Sequence, residues 1–339
     1  MSTTIKEVAR RAGVSIATVS RVFNNTGPVE TQTRARVRAA AIELHYVPNA
    51  LGRNLSRRRS DAIGLLLPDL FGEFFSEVIR GADETAQSHG YHLLVSSSHS
   101  NRQEIAAALK MMRGRVDALV IMSPHVDAQT LNANLPRNHP VTLLNCQVED
   151  CSFDSLNVDN YGGALSMVGH LIQHGHRRIA ILTGTPGNID AEQRLRGYRD
   201  AMTQGGCPLD DDLVIRGDFS ETCGVQAVEK ILSLSPCPTA VFASNDSMAI
   251  GLLGALHSRG VAIPDQIALA GFDDVPVAAF LSPPLTSVQV GIHNLGVLAI
   301  ERVLDAVKGQ DAFETRQTLL STRLSLRESC GCSRTTQSQ

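Results

Sequence analysis

Arg21 is the side chain of this sequence best suited to reading a nucleic-acid base. A guanidinium donates two parallel hydrogen bonds, the pair that guanine O6 and N7 accept in the DNA major groove. The surrounding residues have the spacing to present it there. Ile5, Val8, Ala9 and Ala12 recur at i, i+3, i+4 and i+7, one apolar face of a short helix. Gly13 frees the backbone for a sharp turn, Val14 points back to the core, and Ser15 is a good N-cap for a second helix. Val19 and Val22 give that helix its own apolar stripe, which leaves Ile16, Ala17, Ser20 and Arg21 on the outer face. This is the layout of a helix-turn-helix whose second helix enters a major groove.

Phosphate chemistry is written in the charge distribution. Residues 1–59 hold eleven Lys or Arg against three acids, a net charge of +8. The whole chain carries −3, so the remainder carries −11. A basic head on an acidic body suits neutralisation of a DNA backbone.

Thiols and imidazoles offer less. The seven cysteines (Cys146, Cys151, Cys207, Cys223, Cys237, Cys330 and Cys332) are odd in number and scattered, which fits reduced thiols better than a disulfide framework. Cys330 and Cys332 are two soft ligands, short of the number a metal site needs. His170, His174 and His176 fit a helix end as well as a metal site. No metal and no cofactor is expected.

The elements that must position these groups follow from pattern. Residues 31–45 read as a third helix with Val37, Ala41 and Leu44 inside, broken by Pro48. Residues 49–57 can form one more short helix, marginal alone because it is brief and contains Gly52. Residues 57–61 are a polar linker. Beyond Ala62 the texture changes to strand–helix alternation. Strands are expected at 63–67, 91–95, 117–122, 141–145, 178–183, 213–215, 240–243 and 267–270. Helices are expected at 74–89, 102–113, 161–174, 191–204, 221–232, 246–258 and 294–307. That alternation means parallel sheets with helices on both faces. A segment of this length exceeds one comfortable core, so two lobes are expected. Ligands of such sheets bind beyond the carboxyl ends of the strands, here in the cleft between lobes.

With 339 residues, 43% of them hydrophobic, the chain has the composition of an ordinary α/β protein, and no apolar run approaches a membrane span. The polar N-terminus lacks the apolar core of a secretion signal, so a cytoplasmic protein is expected.

The motifs are then specific enough to place. Residues 4–22 resemble the DNA-binding signature of the lactose-repressor/galactose-repressor (LacI/GalR) family of bacterial transcription regulators. Residues 46–50, 174–179, 194–198, 244–251, 271–275, 283–288 and 327–330 resemble further signatures of that family, in order. The resemblance covers about residues 4–330. It implies an α-helical headpiece at 1–59, with a hinge helix at 49–57, joined to a two-lobed α/β core of the periplasmic-binding-protein type at 60–330. Its first lobe would comprise about 61–160 and 291–319, its second about 161–290 and 320–330. Residues 331–339 would be a disordered tail. No leucine heptads occur there, which favours a dimer over a coiled-coil tetramer.

For DNA, the resemblance implies that Ile16 and Ala17 stand where the family distinguishes operators. Lacking hydrogen-bonding groups, they can read only thymine methyls and shape. Thr18, Ser20 and Asn24, with Thr4, Thr33 and Arg34 from neighbouring elements, are candidates for phosphate contacts that fix register; Ser15 is a further DNA-binding candidate, and Asn49 and Arg53 belong to the hinge. Leu55 matches the hinge leucine that, paired across a dimer, wedges into one minor-groove step. For the effector, the resemblance implies Asn145, Arg194, Asn245 and Asp273, with Phe74 and Phe219 as apolar walls; Asp190, four residues before Arg194 near a helix start, is a further polar candidate. Of the adjacent Phe74 and Phe75, Phe74 is expected in the cleft and Phe75 inward. Asp273 followed by Asp274 can alternatively cap a turn.

The expected function is a repressor of a carbohydrate-use operon that binds palindromic double-stranded DNA as a homodimer under control of a sugar-like effector. A purine- or nucleoside-responsive regulator is the alternative. A sugar-transport protein fits the cleft but not the basic head. An enzyme is not expected, because no nucleophile-elbow, P-loop or zinc-protease pattern occurs.

Overall fold

The computed structural model describes residues 3–24, 26–46, 59–99, 101–124, 126–136, 139–146, 148, 153–309 and 316–332. The chain divides into two compact units, Met1–Ser60 and Asp61–Gln339.

In the first unit, α1 (Ile5–Ala12), α2 (Ile16–Asn24) and α3 (Thr31–Glu43) close on a core whose buried apolar residues, among those described, are Val8, Ala9, Ala12, Val19, Val22, Val37, Ala40 and Ala41, with Ile5, Phe23 and Leu44 packed against them. Gly13 takes φ 64° between α1 and α2. The Ser15 hydroxyl accepts from Thr18 N–H at 3.1 Å and so starts α2 as an N-cap should. Glu7 accepts from the Thr4 N–H at 2.7 Å and ties the start of α1. Phe23 and Tyr46 pack at the edge with ring centroids 5.8 Å apart. Asn49, Arg53 and Leu55 of the expected hinge, and residues 333–339 of the tail, lie outside the described residues.

The second unit holds two six-stranded sheets. The first contains β1 (Ala62–Leu67), β2 (His92–Ser97), β3 (Ala118–Met122), β4 (Val141–Leu144), β5 (Asp154–Val158) and β11 (Gln317–Leu320), in the order β11-β5-β4-β3-β1-β2, all parallel. The second contains β6 (Ile179–Leu182), β7 (Val214–Ile215), β8 (Ala240–Ala243), β9 (Ala268–Asp273), β10 (Thr286–Gln289) and β12 (Arg323–Ser325), in the order β12-β10-β9-β8-β6-β7. Only β12 runs antiparallel, against β10. The central strands are buried from end to end, as strands covered on both faces must be.

The helices are α4 (Glu73–Ser88), α5 (Arg102–Met112), α6 (Ala128–Asn134), α7 (Asn160–Gln173), α8 (Ile189–Gln204), α9 (Glu221–Ser233), α10 (Asp246–Ser258) and α11 (Ile292–Lys308). Helix α11 returns to pack on α4, β3 and β4 of the first sheet, whereas α7 packs on α8 and the second. The chain therefore passes between the lobes after β5, after β10 and after β11.

The sequence pattern misses β5, β10, β11, β12 and α6. Their residues explain it. Strand β5 reads Asp154, Ser155, Leu156, Asn157, Val158, yet Asp154 and Ser155 are buried. Strand β10 likewise buries Thr286 and Ser287. These polar side chains are satisfied by tertiary partners: Arg302 donates to Asp154 at 2.9 Å and Arg327 N–H to Thr286 at 2.8 Å. No local pattern announces a partner so remote in sequence.

Candidate functional site

On the headpiece, α2 buries Val19 and Val22 and turns Ala17 and Arg21 to the outside. Ile16 beside them is 45% exposed. Ser15 and Thr18 face each other, Oγ to Oγ1 at 2.9 Å, so both hydroxyls also belong to the helix start. Asn24 stands apart from the expectation of an outward phosphate contact: it is buried, and its amide donates to Ser20 Oγ at 3.0 Å. Thr33 accepts from Arg36 at 3.4 Å, and Arg34 is half-buried. The Thr4 hydroxyl donates to Glu7 at 3.0 Å.

In the core unit, the carboxyl ends of the strands of both sheets face one cavity of about 630 Å³. All seven effector candidates (Phe74, Asn145, Asp190, Arg194, Phe219, Asn245 and Asp273) line it. The volume lies within the usual range for small-molecule sites.

Arg194 is its centre. It is buried, which demands paid-for hydrogen bonds for every donor it can place. Nε donates to Asn160 Oδ1 at 2.8 Å and Nη1 donates to the Ser244 carbonyl. The guanidinium lies 3.8 Å from the Phe272 ring centre and 6.0 Å from that of Phe219. Asn160 in turn donates to Asp190 Oδ1 at 2.9 Å. Asp273 is weakly coupled: its Oδ1 lies 3.5 Å from Arg194 Nη2, too far for a strong hydrogen bond. That oxygen is buried and has no hydrogen-bond partner among the described residues.

The two asparagines do structural work at the site. Asn145 Oδ1 accepts from Val158 N–H at 2.9 Å, which fixes the exit of β5. Asn245 caps α10 through Oδ1 and donates from Nδ2 to the Phe219 carbonyl at 3.0 Å. Phe219 needs that tie, because its φ of 71° is a strained value for an aromatic residue. Its ring sits so close to Gly184 that a Cβ there would collide with it. Each asparagine can therefore offer a ligand only what these bonds leave over.

The adjacent aspartates divide their labour. Asp274 accepts from Ser325 Oγ at 2.6 Å and pairs with Arg327 at 2.7 Å, anchoring β12. Asp273 lines the cavity. Below them, Asp246 accepts from Val275 N–H at 2.9 Å and Ser287 Oγ at 2.6 Å, locking this loop. Burial holds the Asp246 carboxyl well above the usual range, with Asp273 and Asp274 adding to the rise.

One expectation is corrected. Phe75 does not simply pack inward: both Phe74 and Phe75 line the cavity, edge to face with centroids 5.4 Å apart, and both also touch the core. Sequence reasoning also missed Asp69, Phe71, Asp218 and Glu221 in the lining, and Asn160 and Phe272 behind Arg194. Asp69 and Asp218 lie just past strand ends, so the strand-end rule could have found them. Phe272 lies within the 271–275 signature, yet an aromatic residue in a buried strand reads as core and not as a partner of Arg194.

At the rim, Glu73 Oε2 of the first lobe accepts from Val277 N–H of the second at 3.2 Å. It is a direct link across the cleft.

Residues 4–49 match the domain described as bacterial regulatory proteins, lacI family, and residues 168–330 match a periplasmic binding protein-like domain. The HTH-type transcriptional repressor CytR of Escherichia coli (strain K12) is 34% identical over 311 residues, spanning 91% of this chain and 90% of that repressor. The chain belongs to the LacI family. It is a DNA-binding transcriptional regulator with a periplasmic-type ligand-binding core, as its motifs implied. A lac repressor dimer bound to operator and the anti-inducer ONPF superposes with a TM-score of 0.83 at 30% identity, covering 97% of this regulator and 99% of that chain. The regulator CelR in complex with cellobiose superposes with a TM-score of 0.72 at 31% identity, covering 96% and 99%. No helix among the described residues is long and apolar enough to cross a membrane.

The cavity chemistry makes one pH prediction. Burial pushes the Asp273 carboxyl up from 3.8 to about 7, against the pull of Arg194 and with a push from Asp190. The folded state then holds a proton that the unfolded chain has released over the interval between those values. This group's stabilising contribution is full at the acid end and lost as pH rises through the folded value. The melting temperature of the wild type, taken relative to Asp273→Asn, is expected to fall across that interval and level off above it. Parallel profiles for the two proteins would contradict it.

Proposed function

We propose that this regulator binds palindromic operator DNA as a homodimer in the cytoplasm, and that a neutral polyhydroxylated molecule, a sugar in first place, occupies the cavity and changes operator affinity. The observation that carries the ligand class is the charge of the lining. Among the described residues, Asp69, Asp190, Asp218 and Glu221 share the lining with a single cation, Arg194, and Asp273, raised to about 7 by burial, adds a partly protonated carboxyl. Arg194 is already held by Asn160 and the Ser244 carbonyl. An anionic ligand would meet net repulsion in a partly dehydrated site. Ligand hydroxyls instead find carboxyl oxygens to bond, among them Asp273 Oδ1, which has no hydrogen-bond partner among the described residues. Phe71, Phe74, Phe75 and Phe219 supply apolar faces for the C–H side of a pyranose.

Cellobiose on CelR and the ligand ONPF on a lac repressor support the same reading. Four aromatic walls also suit a stacked base, so a nucleoside is the second reading. DNA and ligand need not touch to be coupled. A ligand that favours one arrangement of the lobes alters operator affinity by a factor that DNA returns in full to ligand affinity. The Glu73–Val277 link is one of the contacts such a rearrangement must keep or break.

Operator binding followed by fluorescence anisotropy, across neutral sugars, sugar phosphates and nucleosides, tests this. A neutral compound is expected to shift the binding curve and the phosphorylated sugars to leave it in place. Response to phosphorylated sugars alone would overturn the charge argument.

A further inference from the structure

The second lobe brings together three soft ligand atoms that the sequence keeps 160 residues apart. His170 lies on α7, and Cys330 ends the 3₁₀ turn Glu328–Cys330, the last regular element described. His170 Nε2 is 3.5 Å from Cys330 Sγ, which is 2.7 Å from Cys332 Sγ. All three donor atoms lie within 4.8 Å of one another. His170 and Cys330 are buried and Cys332 half-buried. We propose that His170, Cys330 and Cys332 form a binding site for a thiophilic divalent cation of the zinc type, separate from the effector cavity.

Three observations carry it. The scaffold is rigid: the Ser329 hydroxyl donates to the Leu269 carbonyl at 2.6 Å and accepts from Thr286 N–H at 2.8 Å, which bolts the turn to β9 and β10. Gly331, at φ 77°, folds the chain so that both thiols face one point, and both approach the Arg327 carbonyl. The distances suit the ion. Tetrahedral zinc, with bonds of about 2.3 Å to sulfur and about 2.0 Å to nitrogen, separates S and N by roughly 3.5 Å and two sulfurs by roughly 3.7 Å. The His170–Cys330 pair already matches. The sulfurs must part by about 1 Å, which rotation of the half-buried Cys332 supplies.

Charge favours a divalent ion. Two thiolates and one neutral imidazole cancel its charge, so the occupied site is neutral where it is buried. The imidazole is suited to this, because burial lowers His170 to about 4, helped by His174 and His176, and it stays uncharged at neutral pH. Binding exchanges the metal for two protons, one from each thiol. The ion would fasten the final turn of the regulator to α7. Two thiols alone gave the sequence no reason to expect a metal, and the third ligand is supplied only by the fold.

The reduced, chelator-stripped protein is to be titrated with Co²⁺ under anaerobic conditions. The expected result is a thiolate-to-cobalt charge-transfer band that saturates at one equivalent per chain and is displaced by Zn²⁺. Cys332→Ser and His170→Gln are each expected to weaken binding at least tenfold, with circular dichroism and operator binding unchanged. Cys332 is the safer probe of the two thiols, since it is the less buried. Zinc is also expected to raise the melting temperature of the wild type but not of Cys332→Ser. Absence of the band, a band indifferent to Cys332→Ser, or oxidation of the pair to a disulfide without metal uptake overturns the site.

Discussion

Arg194→Met is expected to abolish the ligand response of operator binding and to destabilise the core unit by about 3 kcal/mol. The magnitude comes from what the guanidinium holds. Its loss strands Asn160 Oδ1 and the Ser244 carbonyl, two buried acceptors worth about 1–3 kcal/mol each when left unmade. It also removes a cation from the Phe272 face, about 0.5–2 kcal/mol. Packing by the methionine stem returns part of this. Asp273 adds little, because a carboxyl with a value already near 7 takes up a proton instead of remaining as a bare charge. The double variant Arg194→Met with Asp273→Asn is therefore expected to be about as stable as Arg194→Met alone, and equally unresponsive. Denaturant unfolding gives the stability and anisotropy gives the response. Wild-type ligand affinity in a folded Arg194→Met protein would remove Arg194 from the site.

Arg21→Ala is expected to cost about 1–3 kcal/mol of discrimination at one base pair per half-site, about fivefold to more than a hundredfold. Arg21 is exposed on α2 next to Ile16 and Ala17, neither of which can donate or accept a hydrogen bond through its side chain. Direct readout is then concentrated in one residue. Binding to an operator altered at that base pair should be nearly unaffected by the substitution. A phosphate contact predicts something else: uniform loss on every sequence and a salt dependence shallower by about one ion. That second outcome would make Arg21 a positioning residue. Ligand binding to the core is expected to survive the change.

How much of this was legible in the sequence differs by element. The headpiece was almost fully so. Its helices are short and its core is local, so Val8, Ala9, Ala12, Val19 and Val22 at helical spacing specify both the helices and the buried face. Asn24 is the exception: its i,i+4 bond to Ser20 is one that helical spacing allows, but a polar residue gives apolar patterning no sign that it is buried. In the core unit the apolar strands β1, β3, β6, β8 and β9 were legible because buried parallel strands are continuous apolar runs. The polar strands at the lobe crossings and sheet edges were not.

The sequence by itself determined the family and the headpiece, because these are carried by contiguous motifs and local periodicity, and the resemblance pointed to seven of the residues that line the cavity. The tertiary structure alone decided which of their polar groups are free. It committed Asn245 to Phe219 and Asn145 to β5, left an oxygen of Asp273 without a hydrogen bond among the described residues, and brought His170 to Cys330 and Cys332. The physical reason is the same in each case. Residue type sets what a side chain can bond, but which bonds are already made depends on groups that meet only when distant segments pack together.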